Sequence, residues 1–297
     1  MRSLKDNDIA YLWPAASLDI HKTLHDRGIP IVLEGINTRM ASAKKILDEA
    51  YAELGVSPQH MITEERIEEE EEKYRYSSAI FAPNRNVEAA LENSPLEDRI
   101  IPASYGVDTS KVHNRTGQAS DKSELTFMFC GYCCVRKGMH FLLEAWKKMP
   151  GKHRLLLVGG MEPLVAERYK DVLSDDHVEH VGFVKDVHAQ FARADVFVFP
   201  SLEEGGPQVT YEAALHGLPI IASPMGSSRL GDHEGTMLIV EPRKTDQLLS
   251  ALEQVAESQD LRESLGQTAF HAVHEFDWNK VGAKRANDLL NFLHIIK

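Results

Sequence analysis

The 297-residue sequence is poor in cysteine, in positive charge and in long apolar runs, and each shortage removes a class of protein. All 3 cysteines fall within residues 130–134. Set so close, they cannot form a disulfide framework, and with no second cluster elsewhere they lack the four ligands of a structural zinc site. Lys and Arg number 33 against 45 Asp and Glu, a formal net charge of −12 that repels a polyanion, so no nucleic-acid partner is expected. No apolar run approaches the roughly 18 residues of a membrane span. The opening MRSLKDNDIAYLW has no apolar centre of the kind a signal peptide needs. A cytoplasmic globular protein is expected, and 43% hydrophobic residues suffice for two domains with proper cores.

From residue 125 onward, apolar β-branched runs (LTFMF, RLLLVGG, VEHVGFV, DVFVFPS, PIIAS, TMLIVEP) alternate with helical-period segments such as HFLLEAWKKM, PLVAERYKDVL, DVHAQFARA and QVTYEAALHG. Such alternation builds βαβ units around a buried parallel sheet, a Rossmann-like domain of about six strands closed by three further helices. Residues 1–108 repeat the style more sparsely, with IAYLW, PIVLEG, SSAIFAP and IIPA as strands and helices near 17–27, 39–54, 62–76 and 84–92. The polar, aperiodic stretch 109–124 reads as a linker, with the second domain running over 125–297. The acidic run EERIEEEEEKY reads as a solvated helix face rather than a cation site, because it lacks Asp/Gly turn chemistry.

Two stretches carry candidate chemistry. In FMFCGYCCVRKG, Cys130 and Cys133 have the spacing of a redox pair. A thioredoxin-like site, however, opens a helix with its first cysteine, whereas Cys130 ends a strand and the helix starts only near Gly138. In FPSLEEGGPQVTYEAALHGLPIIAS a strand ends, Glu203, Glu204, Gly205 and Gly206 form a loop, Pro207 suits the start of a helix, and Gly217 with Pro219 closes it. A helix start at the C-terminal edge of a parallel strand is where open α/β sheets bind ligands, and glycines there let backbone N–H groups approach an anion or a sugar. Glu204 and Glu212, eight positions apart, suit two separate hydroxyl-rich groups, since a carboxylate accepts two hydrogen bonds from a diol. Loop solvation for Glu203 and Glu204 and a helix-surface place for Glu212 remain the bland alternative. A dehydrogenase is excluded because LLLVGGMEP lacks G-x-G-x-x-G and no acidic residue ends the next strand.

The ordered series Glu204-Gly205-Gly206, Glu212, Ala213-Ala214, Gly217, Pro219 and Ile221-Ala222-Ser223 resembles the signature of the retaining GT-B glycosyltransferases of family four, also called glycosyl transferases group 1. The likeness extends over FMFCG with Arg136-Lys137-Gly138, LLLVGG, VGFV and ADVFVFPS, and reaches back to APNRNVEAAL and IIPASYGVD. The resemblance implies an α/β fold of GT-B type, with an acceptor-side first domain, on which the closing helix packs, and a second domain that binds a nucleotide-sugar donor. By position, Glu212 holds the donor ribose diol, while Glu204 and the N–H groups of Gly205 and Gly206 hold the donor sugar. Lys137, helped by Arg136, neutralises the diphosphate, the base rests against Val184, and Gly131 and Val209 line the donor. Catalytic roles fall to Glu204, Lys137 and Arg136. No metal or other cofactor is implied.

Two departures stand out. Tyr132 occupies the position where the family carries Arg, and the chain begins at what resembles the family's fourth strand, so the first domain is incomplete. A shortened sheet exposes an edge that a homodimer would cover. In the first domain Trp13, Glu34 and Asn37, with His21 and His25 in a helix, lie where the family places a donor-side His, and none is assigned a role. The expected activity is transfer of a hexose from a nucleoside-diphosphate sugar to a carbohydrate or lipid-linked acceptor, in polysaccharide or glycoconjugate synthesis at the cytoplasmic face of a membrane. The alternative is a non-catalytic nucleotide-sugar-binding module.

Overall fold

A computed structural model of the chain describes residues 8–92, 94–111 and 124–295, so most of the expected linker, residues 112–123, lies outside the described residues. In chain order the elements are β1 (Ala10–Leu12), α1 (Leu18–Asp26), β2 (Ile31–Glu34), α2 (Met40–Glu53), α3 (Glu64–Tyr76), β3 (Ala79–Ala82), α4 (Arg85–Leu91) and β4 (Ile100–Pro102). There follow β5 (Thr126–Cys130), α5 (Met139–Trp146), β6 (Arg154–Val158), α6 (Pro163–Arg168), α7 (Lys170–Leu173), β7 (Val178–Gly182), α8 (His188–Phe191), β8 (Val196–Phe199) and α9 (Gln208–Leu215). The last are β9 (Ile220–Ala222), β10 (Leu238–Ile239), α10 (Thr245–Glu257), α11 (Gln259–Val273) and α12 (Trp278–Ile295). They group into two compact units. One holds the chain up to Ser104, Glu204–Gly206 and the chain from Ala283; the other holds Tyr105–Glu203 and Pro207–Gly282.

The first unit is a parallel sheet in the order β1-β2-β3-β4. Its strands alternate between two buried faces, which explains why they read as continuous apolar runs. Ile31, Leu33 and Ile80 pack with Leu24, Tyr74 and Leu91 on one face; Val32, Ala79, Phe81 and Ile101 pack on the other against Leu289 and Phe292 of α12. Arg285 pins α12 to this sheet: its guanidinium donates to the Ser104 carbonyl (3.0 Å), the Tyr11 hydroxyl (2.7 Å) and the Glu34 carboxylate, and lies 4.2 Å from the Phe81 ring centre. The outer edge belongs to β1, where Ile9, Tyr11 and Trp13 are 40%, 44% and 55% exposed.

Glu64, Glu65, Glu68 and Glu69 of the acidic run lie on the solvated face that composition suggests, while its other carboxylates are engaged as well. Glu71 forms a two-pronged pair with Arg39 (2.5 and 2.7 Å), Glu69 meets Lys73, and Glu72 meets Lys22. Glu70 accepts from the Met40 N–H (2.7 Å) at the start of α2, where a helix presents unsatisfied donors. Burial, reinforced by Glu71, raises the Glu70 carboxyl from 4.5 to about 7, against the opposing pull of the Met40 N–H and Arg39. The folded-state value lies above the unfolded one, so the contribution of this group is fully present below pH 4.5 and is lost as pH rises towards about 7. Glu70→Gln keeps the acceptor oxygen and removes the buried charge. It is expected to raise the Tm at pH 8, by an amount equivalent to about 2 kcal/mol, and to leave it unchanged near pH 4. Thermal melts across this range check it, and a wild type more stable than the variant at pH 8 would contradict it.

The second unit is a six-stranded parallel sheet in the order β10-β9-β8-β5-β6-β7. The Phe127, Met128, Phe129, Leu155, Leu157, Val196, Phe197 and Phe199 side chains are fully buried in it. The strand order reverses between β5 and β8, and the C-terminal ends of strands flanking such a reversal form a crevice where doubly wound folds bind ligands. Two helices are shorter than their periodicity suggests. PLVAERYKDVL breaks at Tyr169, which leaves helical geometry at φ −112°, ψ 20° as its ring is buried, with the Lys147 ammonium 4.8 Å from the ring centre. DVHAQFARA is helical only over α8, whose start is tied by the Asp186 carboxylate accepting from the Ala189 N–H (3.2 Å).

Candidate functional site

The loop leaving β5 carries the basic residues. After Cys130 and Gly131 it makes a 3-10 turn over Val135–Lys137 and enters α5 through Gly138, whose φ of 69° favours glycine. A Cβ at Gly138 would lie 2.0 Å from the Pro200 carbonyl oxygen, so the loop after β5 and the end of β8 touch backbone to backbone. Lys137 folds back over Gly131, its Cδ 3.2 Å from where a Cβ would stand there, and its ammonium lies 5.0 Å from the ring centre of Phe199, the last residue of β8. Lys137 is therefore held at the reversal between β5 and β8. Arg136 is turned towards the neighbouring loop: its guanidinium donates to the Glu203 carbonyl (3.3 Å) and carboxylate (3.2 Å).

The three thiols are buried and not bonded to one another. Burial above all pushes Cys130 up to about 12, with Glu212 adding and Lys137 opposing, so one small region feels both of those charges. Burial likewise raises Cys133 to about 12 and raises Cys134. Thiols held this high are protonated at neutral pH and make poor nucleophiles, which removes the redox alternative.

In the second unit, the loop leaving β8 ends at Pro207 (φ −65°), directly before α9. Glu212 lies in the middle of α9, half-buried, and its carboxyl is raised by burial while Lys111 pulls the other way. Val209, in the first turn, is half-buried too. Val184 follows Gly182 (φ 66°) and Phe183, which is 86% exposed, at the end of β7. Tyr132 is 48% exposed and rests on Gly160, two ring carbons standing 3.3 Å from where a Cβ would be.

Glu204, Gly205 and Gly206 group with the first unit, where the sequence placed them in the second domain. The Gly205 carbonyl accepts from the Asn84 side chain, and a Cβ at Gly205 would lie 1.9 Å from the Ile36 carbonyl oxygen. Glu203 and Glu204 are buried at 1% and 7% exposure, so neither is loop solvation. His21 is a packing residue: it is buried and its Nδ1 meets the Ser17 carbonyl at 2.9 Å.

Three residues with structural leverage escaped the sequence. Glu162 accepts from the Val135 N–H (2.8 Å) and so caps the basic turn, Glu203 pairs with Arg136, and Asn84 holds Gly205. Only Glu203 had a local signal, its place beside Glu204; the others act across 27 and 121 positions of chain. Among the described residues no three of His, Cys, Asp and Glu converge as a metal-ligand set, and no helix is long and apolar enough to cross a membrane.

Residues 124–258 match the protein family model described as Glycosyl transferases group 1. Among curated proteins the chain is 32% identical over 171 residues to phosphatidyl-myo-inositol mannosyltransferase of Mycolicibacterium smegmatis, a match covering 54% of this chain and 43% of that protein. It is 26% identical over 200 residues to the lipopolysaccharide core biosynthesis glycosyltransferase LpsE of Rhizobium meliloti, covering 62% and 58%. The chain spans about half the length of the curated relatives it matches. Among solved structures, HepE of Anabaena in complex with UDP superposes with a TM-score of 0.75 at 16% identity, covering 95% of this chain and 79% of that one. WaaG, a glycosyltransferase involved in lipopolysaccharide biosynthesis, gives 0.64 at 16% identity, covering 90% and 80%. The chain thus shares the α/β, parallel-sheet fold of these solved glycosyltransferases, and its residues 124–258 are similar to the glycosyl transferases group 1 family.

Proposed function

We propose that the chain is a retaining glycosyltransferase that moves a hexose from a nucleoside-diphosphate sugar to a carbohydrate or lipid-linked acceptor, in polysaccharide or glycoconjugate synthesis. The observation that carries this reading is Lys137, held between Gly131 and the Phe199 ring at the strand reversal where a doubly wound sheet takes its ligand. Departure of a nucleoside diphosphate develops negative charge. Lys137 and the N-terminal N–H groups of α9 supply positive charge for it, so that no metal or other cofactor takes part in this scheme. Glu212, whose carboxyl is raised by burial, is the acceptor for the ribose diol. Val184 with Gly131 and Val209 lines the nucleotide, and Glu204 with the N–H groups of Gly205 and Gly206 takes the sugar. HepE was solved with UDP and with UDP-glucose, which makes uridine donors the first to test.

The exposed row Ile9, Tyr11 and Trp13 on the outer edge of β1 favours a homodimer built on that edge. We place the protein in the cytoplasm, at the inner face of a membrane where lipid-linked acceptors lie. A second reading is a nucleotide-sugar-binding module without turnover. Release of nucleoside diphosphate from nucleoside-diphosphate hexoses by the purified chain separates the two. Release with the donor's anomeric configuration retained in the product supports the transferase; binding without release under any acceptor supports the module.

A further inference from the structure

We propose that the second unit carries a separate binding site for a neutral saccharide, in the cavity that Trp146, His153, Asp171 and His177 line at the N-terminal edge of its sheet. The inference rests on this cavity alone and does not depend on the reading of the opposite edge as a donor site.

The cavity, of about 440 Å³, lies between the end of α5, α7 and the turns that lead into β6 and β7. Sites for small molecules commonly have roughly 300–1,000 Å³. Two of its rings are fixed from the core: Phe127 of β5 is fully buried, and the Trp146 and His153 rings stand edge-on to it, with centres 5.6 and 5.8 Å away. The Leu125 N–H donates to Nδ1 of His153 (3.2 Å), so the proton of that ring sits on Nε2. Burial, with Arg262 adding and Glu124 opposing, lowers the pKa of His153 and keeps the ring neutral at pH 7. A Cβ at Gly151 would stand 3.3 Å from this Nε2, and the glycine leaves the nitrogen uncovered. On the turn before β7, Nδ1 of His177 donates to the Asp175 carboxylate (3.1 Å), which also accepts from the His177 N–H (2.8 Å). The neutral His177 ring then keeps an acceptor at Nε2. Asp171 of α7 adds a carboxylate that, among the described residues, has no ion pair or hydrogen bond.

The lining selects one class of ligand against the others. Asp171 and Asp175 make it acidic, and the ammonium of Lys147 is taken up by Glu144 (3.1 Å) and the Tyr169 ring, so an anion is disfavoured. A metal ion needs a deprotonated imidazole nitrogen, and Nε2 of His153 holds its proton while the Leu125 bond stands. An apolar ligand would leave the two imidazole nitrogens and the Asp171 carboxylate out of water without partners. A hydroxyl, by contrast, donates and accepts at once. Neighbouring hydroxyls of a sugar therefore meet a fixed donor at His153 and fixed acceptors at His177 and Asp171. Trp146 and Met149 supply apolar surface for the C–H faces of its rings.

The test titrates maltotriose, cellotriose and chitotriose, and separately UDP, into the full chain as wild type, Asp171→Ala, His177→Ala and the double variant. Asp171 is exposed, so its truncation keeps the fold and the test readable if H177A loses stability. At least one trisaccharide is expected to bind wild type saturably, with a Kd of about 1 mM or tighter. That Kd is expected to weaken about tenfold in D171A and further in the double variant, with the affinity for UDP unchanged in D171A. Trisaccharide binding that is lost in this way supports the site even where UDP does not bind. No saturable binding of any of the three by folded wild type overturns the proposal. Binding that D171A and the double variant leave intact places the sugar elsewhere and overturns it as well. A rise in Tm with zinc chloride, seen in wild type and lost in the double variant, would make the cavity a metal site and overturn the saccharide class.

Discussion

Lys137→Ala is expected to lower turnover about a hundredfold or more while weakening donor affinity less than tenfold. The asymmetry follows from when the charge develops. In the proposed reaction one ammonium adds modestly to the affinity for a diphosphate that is already charged. As the bond to the sugar breaks the leaving oxygen would gain charge, and a cation already in place would stabilise that state with little reorganisation. Lys137 is held in place by Gly131 beneath its stem and by the Phe199 ring near its ammonium. Steady-state kinetics with a uridine donor, set beside its Kd from titration, check the split. Equal losses in kcat and in affinity would leave Lys137 a binding residue and remove its role in the departing charge.

Gly138→Ala is expected to cost roughly 3 kcal/mol or more and to abolish nucleotide binding in whatever remains folded. Two effects add. At φ 69° an alanine sits in the left-handed region, which costs about 1 kcal/mol by itself. Its Cβ would also stand 2.0 Å from the Pro200 carbonyl oxygen, a backbone atom that cannot swing aside as a side-chain end could. Relief requires parting the loop after β5 from the end of β8, the two segments that hold Lys137. Urea unfolding and a UDP titration read both consequences, and a variant with wild-type midpoint and affinity would show that the approach between the two loops is not needed.

The strands of both units were legible because each is a short apolar run buried on two faces, and Gly138 and Pro207 carry their conformations in their residue types. The places of Lys137 after a strand end and of Glu212 within a helix were legible from the pattern, while the roles proposed for them came only from the family resemblance. The acidic helix was legible in part: Glu64, Glu65, Glu68 and Glu69 form its solvated face, while Arg39 and the Met40 N–H at the start of α2 take up Glu71 and Glu70, which composition does not record. Nor was the pairing of Arg136 with the buried Glu203, which the sequence places in a loop, legible. Gly205 shows the same limit. Its glycine is required by the Ile36 carbonyl and Asn84, more than a hundred positions away, and no local period records such a neighbour.

Central to the proposed function is a nucleoside-diphosphate sugar whose nucleotide binds to the second unit and whose bond to the diphosphate the chain cleaves. The most direct measurement is nucleoside diphosphate release from UDP-, GDP- and ADP-hexoses by the purified chain, followed together with equilibrium binding of the three free nucleotides. Saturable binding of at least one nucleotide, weakened by Glu212→Ala, with release of the same diphosphate from its sugar donor, is the expected result. No binding of any of the three by a folded wild-type chain would contradict it.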